Sequence, residues 1–282
     1  MSERNSFPDD ILVVIVLYKH SFLESTSFKS LDDALGNSAG LTLFIYDNSP
    51  MACAEINAHS WDVHYDHDPS NPGVSKAYNK AFTLAKRLKK KWMLLADQDT
   101  AFPPTIFLDF AQAIQNYPDI SAFVPSLYDG KGLMSPFRLL WGKGIRIKAL
   151  DNELQFFAKY KVINSGLLVS VDGFERANGY DERFPLDYSD VTFCDRFSQH
   201  DPNFVLIQSK CNHDFSATAD SGNISDDLNR FKLFCQAVLL YKQINSHFIS
   251  TNLIILSHAL KQTFKWKTLR FLKTGLKPSS LK

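Results

Sequence analysis

Residues 92–99 read WMLLADQD, an apolar run from Trp92 to Ala96 that ends abruptly in Asp97-Gln98-Asp99. A short continuous apolar run bounded by polar residues is the pattern of a strand buried on both faces, as in parallel sheets with helices above and below. Two upstream stretches repeat it: Ile11 to Leu17 (ILVVIVL), and Leu41 to Tyr46 (LTLFIY), which runs into Asp47-Asn48-Ser49. Between the last two strands lie Val74, Ala77, Tyr78, Ala81, Phe82, Ala85 and Leu88, an apolar stripe at helical spacing, and residues 22–35 also suit a helix. Strand and helix therefore alternate. That alternation predicts an open α/β sheet whose ligands bind in the crevice beyond the carboxyl ends of the strands, which is where Asp47, Asp97 and Asp99 stand.

Further along, the pattern predicts a helix over Pro104 to Asn116, a short strand near Ile120 to Val124 and a Gly-containing loop or hairpin over 126–150. A strand over Val162 to Val171, a helix over Asp187 to Gln199 and a strand over Phe204 to Gln208 follow. With 282 residues, 45% of them hydrophobic, the chain can bury a substantial core, which excludes intrinsic disorder. Cys53, Cys194, Cys211 and Cys235 form no CxxC pair, so neither a zinc cage nor a disulfide framework is indicated, and a reducing cytoplasm fits. The start, MSERNSFPDD, lacks a signal-peptide pattern, and Phe248 to Leu256 is too short and too polar to cross a bilayer. The expectation is a cytoplasmic protein, soluble or peripheral on the inner face of the cytoplasmic membrane.

Charge divides the chain. No Asp or Glu follows Asp227, while residues 228–282 carry ten Lys or Arg; since the whole chain is +1, residues 1–227 carry −9. A helical projection of Leu260 to Lys277 gathers Leu260, Phe264, Leu269, Phe271, Leu272 and Leu276 on one face and Lys267, Arg270, Lys273 and Lys277 on the other. Two readings stand: a helix lying on an anionic membrane surface, or a basic helix packed on the acidic body. Nucleic acid is disfavoured because no recognition motif accompanies the basic residues.

Two carboxylates two residues apart at a strand end can bend onto one hard cation, and carboxylate, water and phosphate oxygens suit Mg²⁺ or Mn²⁺. Strand-end acids also solvate turns and cap helices, so D-x-D alone does not decide. Its context is more specific. Asn71-Pro72-Gly73-Val74-Ser75-Lys76-Ala77-Tyr78-Asn79 lies between YDNS and DQD, and residues 164–196 read NSGLLVSVDGFERANGYDERFPLDYSDVTFCDR. In order and interval these segments resemble the family 2 glycosyltransferases over about residues 10–215.

The resemblance implies a GT-A-type nucleotide-diphospho-sugar transferase fold, a mostly parallel central sheet flanked by helices, as a catalytic domain over 1–225 with a helical, basic extension over 226–282. It implies that Asp97 and Asp99 hold the metal, joined by His213, and that Asp190 is the catalytic base of an inverting displacement. Asp47 would accept from the N3–H of uracil or thymine, Tyr18 would stack on the base, and Asn71, Gly73, Asn79 and Asp97 would line the donor. Ser165, Gly166 and Asp187 would face the acceptor, with Asp187 and Asp190 on one helix face. Ser189 departs from the family pattern, standing where many members have Glu. The Asp187-x-x-Asp190 pattern is similar to a rhamnosyltransferase-like branch, which points to dTDP-rhamnose or a UDP-sugar as donor. The implied acceptor is a saccharide or a polyprenyl-linked glycan in bacterial surface polysaccharide synthesis.

Two other classes compete. A sugar nucleotidyltransferase would show a Gly-rich, basic loop after the first strand, but Tyr18-Lys19-His20-Ser21 stands there with no glycine before Gly36. A non-catalytic nucleotide-sugar-binding module is motivated by Ser189 and would bind nucleotide without hydrolysis or transfer.

Overall fold

The computed structural model describes residues 8–36, 41–56, 58, 61–150, 152–213, 223–245 and 251–277. The three apolar runs form β1 (Ile11–Leu17), β2 (Thr42–Asp47) and, after β3 (Asp62–His67), β4 (Trp92–Asp97); these four are parallel in the order β4–β1–β2–β3. Every residue of β1 is buried because the strand feeds two cores. Ile11, Val13, Ile15 and Leu17 face one, Leu12, Val14 and Val16 the other. Each such aliphatic side chain contributes about 1.5–3 kcal/mol by leaving water. Helix α1 (Thr26–Leu35), whose N-cap Ser25 accepts from the Phe28 N–H, supplies Phe28, Leu31 and Leu35 to the first core. Helix α2 (Val74–Arg87) lays Ala77, Tyr78, Ala81 and Ala85 into the second.

Beyond β4 the sheet becomes mixed. The chain forms β5 (Thr100–Ala101), α3 (Ile106–Asn116), β6 (Ala122–Asp129), β7 (Gly132–Ser135), β8 (Phe137–Leu140), β9 (Lys143–Arg146), β10 (Leu154–Phe156), β11 (Leu168–Ser170), α4 (Val171–Arg176), α5 (Ser189–Phe197) and β12 (Asn203–His213). Strand β11 runs antiparallel between β4 and β6, β6 is parallel to β12, and β5 adds to the end of β12.

Several sequence expectations are corrected. The strand expected over Val162 to Val171 shrinks to Leu168–Ser170, because Gly166 takes a left-handed φ of 85° before it and Ser170 caps α4 after it. The strand expected near Ile120 to Val124 extends to Asp129, and the stretch 126–150 contains β7 and the β8–β9 pair. The strand expected over Phe204 to Gln208 extends to His213. Strand β3, reading DVHYDH, carries no apolar run because it is a partly exposed edge.

The chain divides into two compact units, Met1–Phe137 with Arg146–Asp214, and Arg138–Ile145 with Phe215–Lys282. Within the second, α6 (Ile224–Ile244), α7 (Thr251–Trp266) and α8 (Arg270–Leu276) pack together. The Phe231 and Phe271 ring centroids lie 5.7 Å apart, and Gly275 sits against Ala259 and Ile255. Asp227 accepts from Lys265 Nζ at 2.9 Å and from Trp266 Nε1 at 2.8 Å. The single helix projected over Leu260 to Lys277 is broken: Lys267 adopts a left-handed φ of 50° and the chain turns before α8. Among the described residues, no helix is long and apolar enough to cross a membrane.

Candidate active site

The site grows from the end of β4. Strand pairing of β5 with β12 sets His213 opposite Thr100, which brings the imidazole beside the Asp97-Gln98-Asp99 turn. One ligand atom from each of Asp97, Asp99 and His213 can be chosen so that all lie within 4.8 Å of one another. His213 Nδ1 is 3.5 Å from Asp99 Oδ1 and 2.7 Å from Thr100 Oγ1, so Thr100 fixes the ring. Thr100 Oγ1 is in turn 2.6 Å from Ser165 Oγ, which accepts from the Asp97 N–H at 3.0 Å. Burial raises the Asp97 pKa, opposed by the charge of His213 and a hydrogen bond of 3.3 Å from the Tyr78 hydroxyl. Two carboxylates and an imidazole drawn in from water form an oxygen-rich set that fits a hard divalent cation.

Gln98 does different work from its neighbours. Its side-chain carbonyl accepts from the Tyr18 N–H at 2.8 Å and its amide donates to the Tyr18 carbonyl at 3.4 Å, clamping the turn to the end of β1. From α1, the Ser25 hydroxyl donates to the Gln98 carbonyl at 2.9 Å and the Ser27 hydroxyl to the Asp97 carbonyl. Sequence reasoning missed Ser25, Ser27, Tyr78, Gln98 and Thr100. For Thr100 the only available signal was adjacency to the D-x-D.

Asp190 lies in the first turn of α5, preceded by Tyr188 in a left-handed conformation, φ 63°. Such a conformation in a bulky residue is costly and concentrates at functional sites. Burial pushes the Asp190 carboxyl up to about 7, with the negative charges of Asp187 and Asp97 adding to the rise against a hydrogen bond from the Val191 N–H. Asp187 does not share a helix face with it, because the helix starts two residues later, at Ser189; the two interact through charge instead. Ser189 is buried, donating to the Leu186 carbonyl at 2.7 Å and accepting from Asn164 Nδ2 at 3.3 Å. Asn164 also accepts from the Tyr180 hydroxyl at 2.8 Å, and the Tyr180 ring stacks on Phe193 at 4.2 Å.

The donor-side residues divide. Tyr18 is exposed at the end of β1. Asp47 is 1% exposed; its Oδ2 accepts from Cys53 N at 2.9 Å and the Tyr65 hydroxyl at 2.8 Å, its Oδ1 from Ser49 N at 2.9 Å. Burial works against its ionisation, but the bonds from Ser49, Tyr65 and Cys53 prevail and hold its pKa below the usual carboxylate value. Asn71 (φ 50°) and Gly73 (φ 91°) form the turn before α2. At the helix start, Val74 N donates to the Pro185 carbonyl at 2.8 Å. A Cβ on Gly73 would lie 2.1 Å from that carbonyl oxygen, so glycine admits the 184–186 segment against the helix start. Asn79 is partly exposed, donating to the Tyr180 carbonyl and Glu182 and accepting from the Tyr180 N–H at 2.9 Å. Ser165, proposed from the sequence for the acceptor side, is buried against the Asp97 backbone, and a Cβ on Gly166 would lie 2.7 Å from Pro125 Cγ.

No protein-family model and no curated protein matches the sequence. Solved structures do match. Residues 1–349 of TarS from S. aureus superpose with a TM-score of 0.54 at 9% identity, over 86% of this chain and 71% of that one. The complex of the same fragment with UDP gives 0.52 at 9% identity, over 81% and 65%. The mannosyltransferase PcManGT from Pyrobaculum calidifontis, in complex with GDP-Man and Mn²⁺, gives 0.52 at 10% identity, over 85% and 66%. The chain thus spans just under two thirds of these last two structures. At these identities the likeness establishes the fold: a GT-A-like α/β architecture with a central sheet flanked by helices.

Proposed function

We propose that the chain is an inverting, metal-dependent glycosyltransferase of family 2 type. The observation that carries this reading is the convergence of Asp97, Asp99 and His213 within 4.8 Å at strand ends, together with a partly buried Asp190 that feels the charge of Asp97. It agrees with the ligands of the structural neighbours, UDP, UDP-GlcNAc, and GDP-Man with Mn²⁺.

In this reading the pyrimidine base of a dTDP- or UDP-sugar stacks on Tyr18 and donates its N3–H to Asp47 Oδ1, since Oδ2 is filled by Cys53 and Tyr65. Asp97, Asp99 and His213 hold Mg²⁺ or Mn²⁺, which when bound neutralises charge developing on the departing diphosphate. Thr100 and Ser165 are positioning residues that fix His213 and the Asp97 backbone. The acceptor hydroxyl loses its proton to Asp190 as its oxygen attacks the anomeric carbon, and the bond to the diphosphate oxygen breaks with its electron pair. One displacement inverts the configuration. A carboxylate with a pKa near the working pH is suited to that transfer, and the charge of Asp187 helps set it. The donor is dTDP-rhamnose or a UDP-sugar, and the acceptor a saccharide or polyprenyl-linked glycan of a bacterial surface polysaccharide, consistent with action in the cytoplasm. The non-catalytic alternative drew on Ser189, which is occupied in bracing the turn before Asp190 and leaves that carboxylate in place.

The test is a panel of dTDP- and UDP-sugars with oligosaccharide acceptors, the product's anomeric configuration read by NMR. Inverted product from wild type, formed at least about 10²-fold more slowly by Asp190→Asn, is expected; retained configuration, or normal turnover by Asp190→Asn, would sink the mechanism.

A further inference from the structure

The second unit wears its apolar residues outside. Ten of the sixteen exposed large apolar side chains among the described residues fall within it, although it holds about a quarter of the chain, so the exposure is concentrated and calls for a partner. On α7, Leu253 (71% exposed), Leu260 and Phe264 (78%) recur on the face opposite the buried Thr251, Ile255 and Ala259. On α8, Phe271 turns inward, while Leu269 just before the helix and Leu276 (70%), seven residues apart, turn outward. Exposed Lys261, Lys267, Arg270 and Lys273 stand among them.

We propose that this face of α7 and α8 docks on the surface of an anionic lipid bilayer. Charge selects the occupant. Residues 228–282 carry ten Lys or Arg and no Asp or Glu, so the complementary surface is extended and negative, while the leucines and Phe264 need an apolar medium. An anionic leaflet offers both at once, its acyl boundary to the apolar residues and its headgroups to lysines whose stems lie along apolar surface. Nucleic acid would use the charge and leave the exposed leucines without a role. The hairpin tip in the same unit, with Leu140 and Trp141 exposed, carries the same signature. The turn at Lys267 divides the face into two short helices, a shape that lies on a surface rather than crossing it.

The experiment is co-sedimentation of the full chain with phosphatidylcholine vesicles, with and without about a quarter phosphatidylglycerol, at low and high salt. Binding is read with no donor or acceptor present, so its outcome is independent of the transferase reading. We expect binding only to the anionic vesicles, weakened by salt. Leu260→Asp with Phe264→Asp should lower it at least about tenfold, and Lys261→Gln with Lys273→Gln about 30-fold, with unchanged circular dichroism in each. The second pair lies on exposed positions and guards against misfolding of the first. Equal binding to neutral vesicles, no sedimentation, or binding untouched by both pairs would overturn the proposal. So would concentration-dependent self-association abolished by Phe264→Asp, which would assign the face to a second copy.

Discussion

At the ends of β4 and β12 the carboxylates of Asp97 and Asp99 and the imidazole of His213 are drawn in from water and held by hydroxyl partners, whereas on α7 and α8 the side chains of Leu253, Phe264 and Leu276 stand out in it. Both arrangements are unfavourable in isolation, one because charge is desolvated and the other because apolar surface is solvated. A fold tolerates such costs where a ligand or a surface later offsets them. Perturbed carboxylates and clustered exposed apolar residues are therefore the same kind of candidate mark, written in opposite chemistry. The strand-end cluster is braced by hydroxyls from several elements, which suits the proposed small-molecule chemistry. The helical face has Phe231, Ile255, Ala259 and Phe271 buried behind it, enough to present a surface.

In Asp190→Asn turnover should fall by roughly 10²–10⁴-fold, while nucleotide binding by calorimetry stays near wild type. Loss of both together would mean that Asp190 serves the donor site. Within the helical unit, Phe271→Ala should destabilise the packing by about 3–5 kcal/mol, whereas Leu253→Ala should change it by about 0.5 kcal/mol or less. Hydrogen exchange of the α6–α8 amides separates the two. Equal effects would show that the exposed leucines are structural after all. Next in size, Thr100→Val removes the hydroxyl that fixes His213; Mn²⁺-dependent nucleotide affinity should drop about 10–100-fold, and the lost bonds to Ser165 and His213 should cost about 1–3 kcal/mol of stability, with the fold retained by circular dichroism. The smallest effect is on pH. A base must be unprotonated, so the rate should rise with pH through about 7 as Asp190 loses its proton. The negative charge of Asp187 helps retain that proton, so in Asp187→Asn the rise should occur at lower pH. A rate profile flat across neutrality would remove Asp190 from the rate-limiting proton transfer.

What the sequence makes legible is governed by where its partners lie. Strands β1, β2 and β4 are visible because burial on both faces demands unbroken apolar runs, and Asp97, Asp99 and Asp190 are visible because their motif order carries them. Strand β3 escapes notice because an edge strand tolerates DVHYDH. Motif order also marks Gly73, Asn79, Ser165 and Gly166 without revealing what they touch. Their contacts within the protein are with Pro185, Tyr180, Thr100 and Pro125, distant in the chain. The tail's amphipathic pattern was correct in composition and wrong in geometry, since a left-handed Lys267 cannot be read from periodicity.

The central claim is that the strand-end cluster is a metal-dependent nucleotide-diphosphate site, and isothermal titration of UDP and dTDP, each with and without Mn²⁺, into wild type and Asp99→Ala tests it most directly. At least one nucleotide should bind with a requirement for Mn²⁺, and that binding should be lost in Asp99→Ala. Binding that ignores Mn²⁺ and survives Asp99→Ala, or no binding of either nucleotide under any condition, would contradict it.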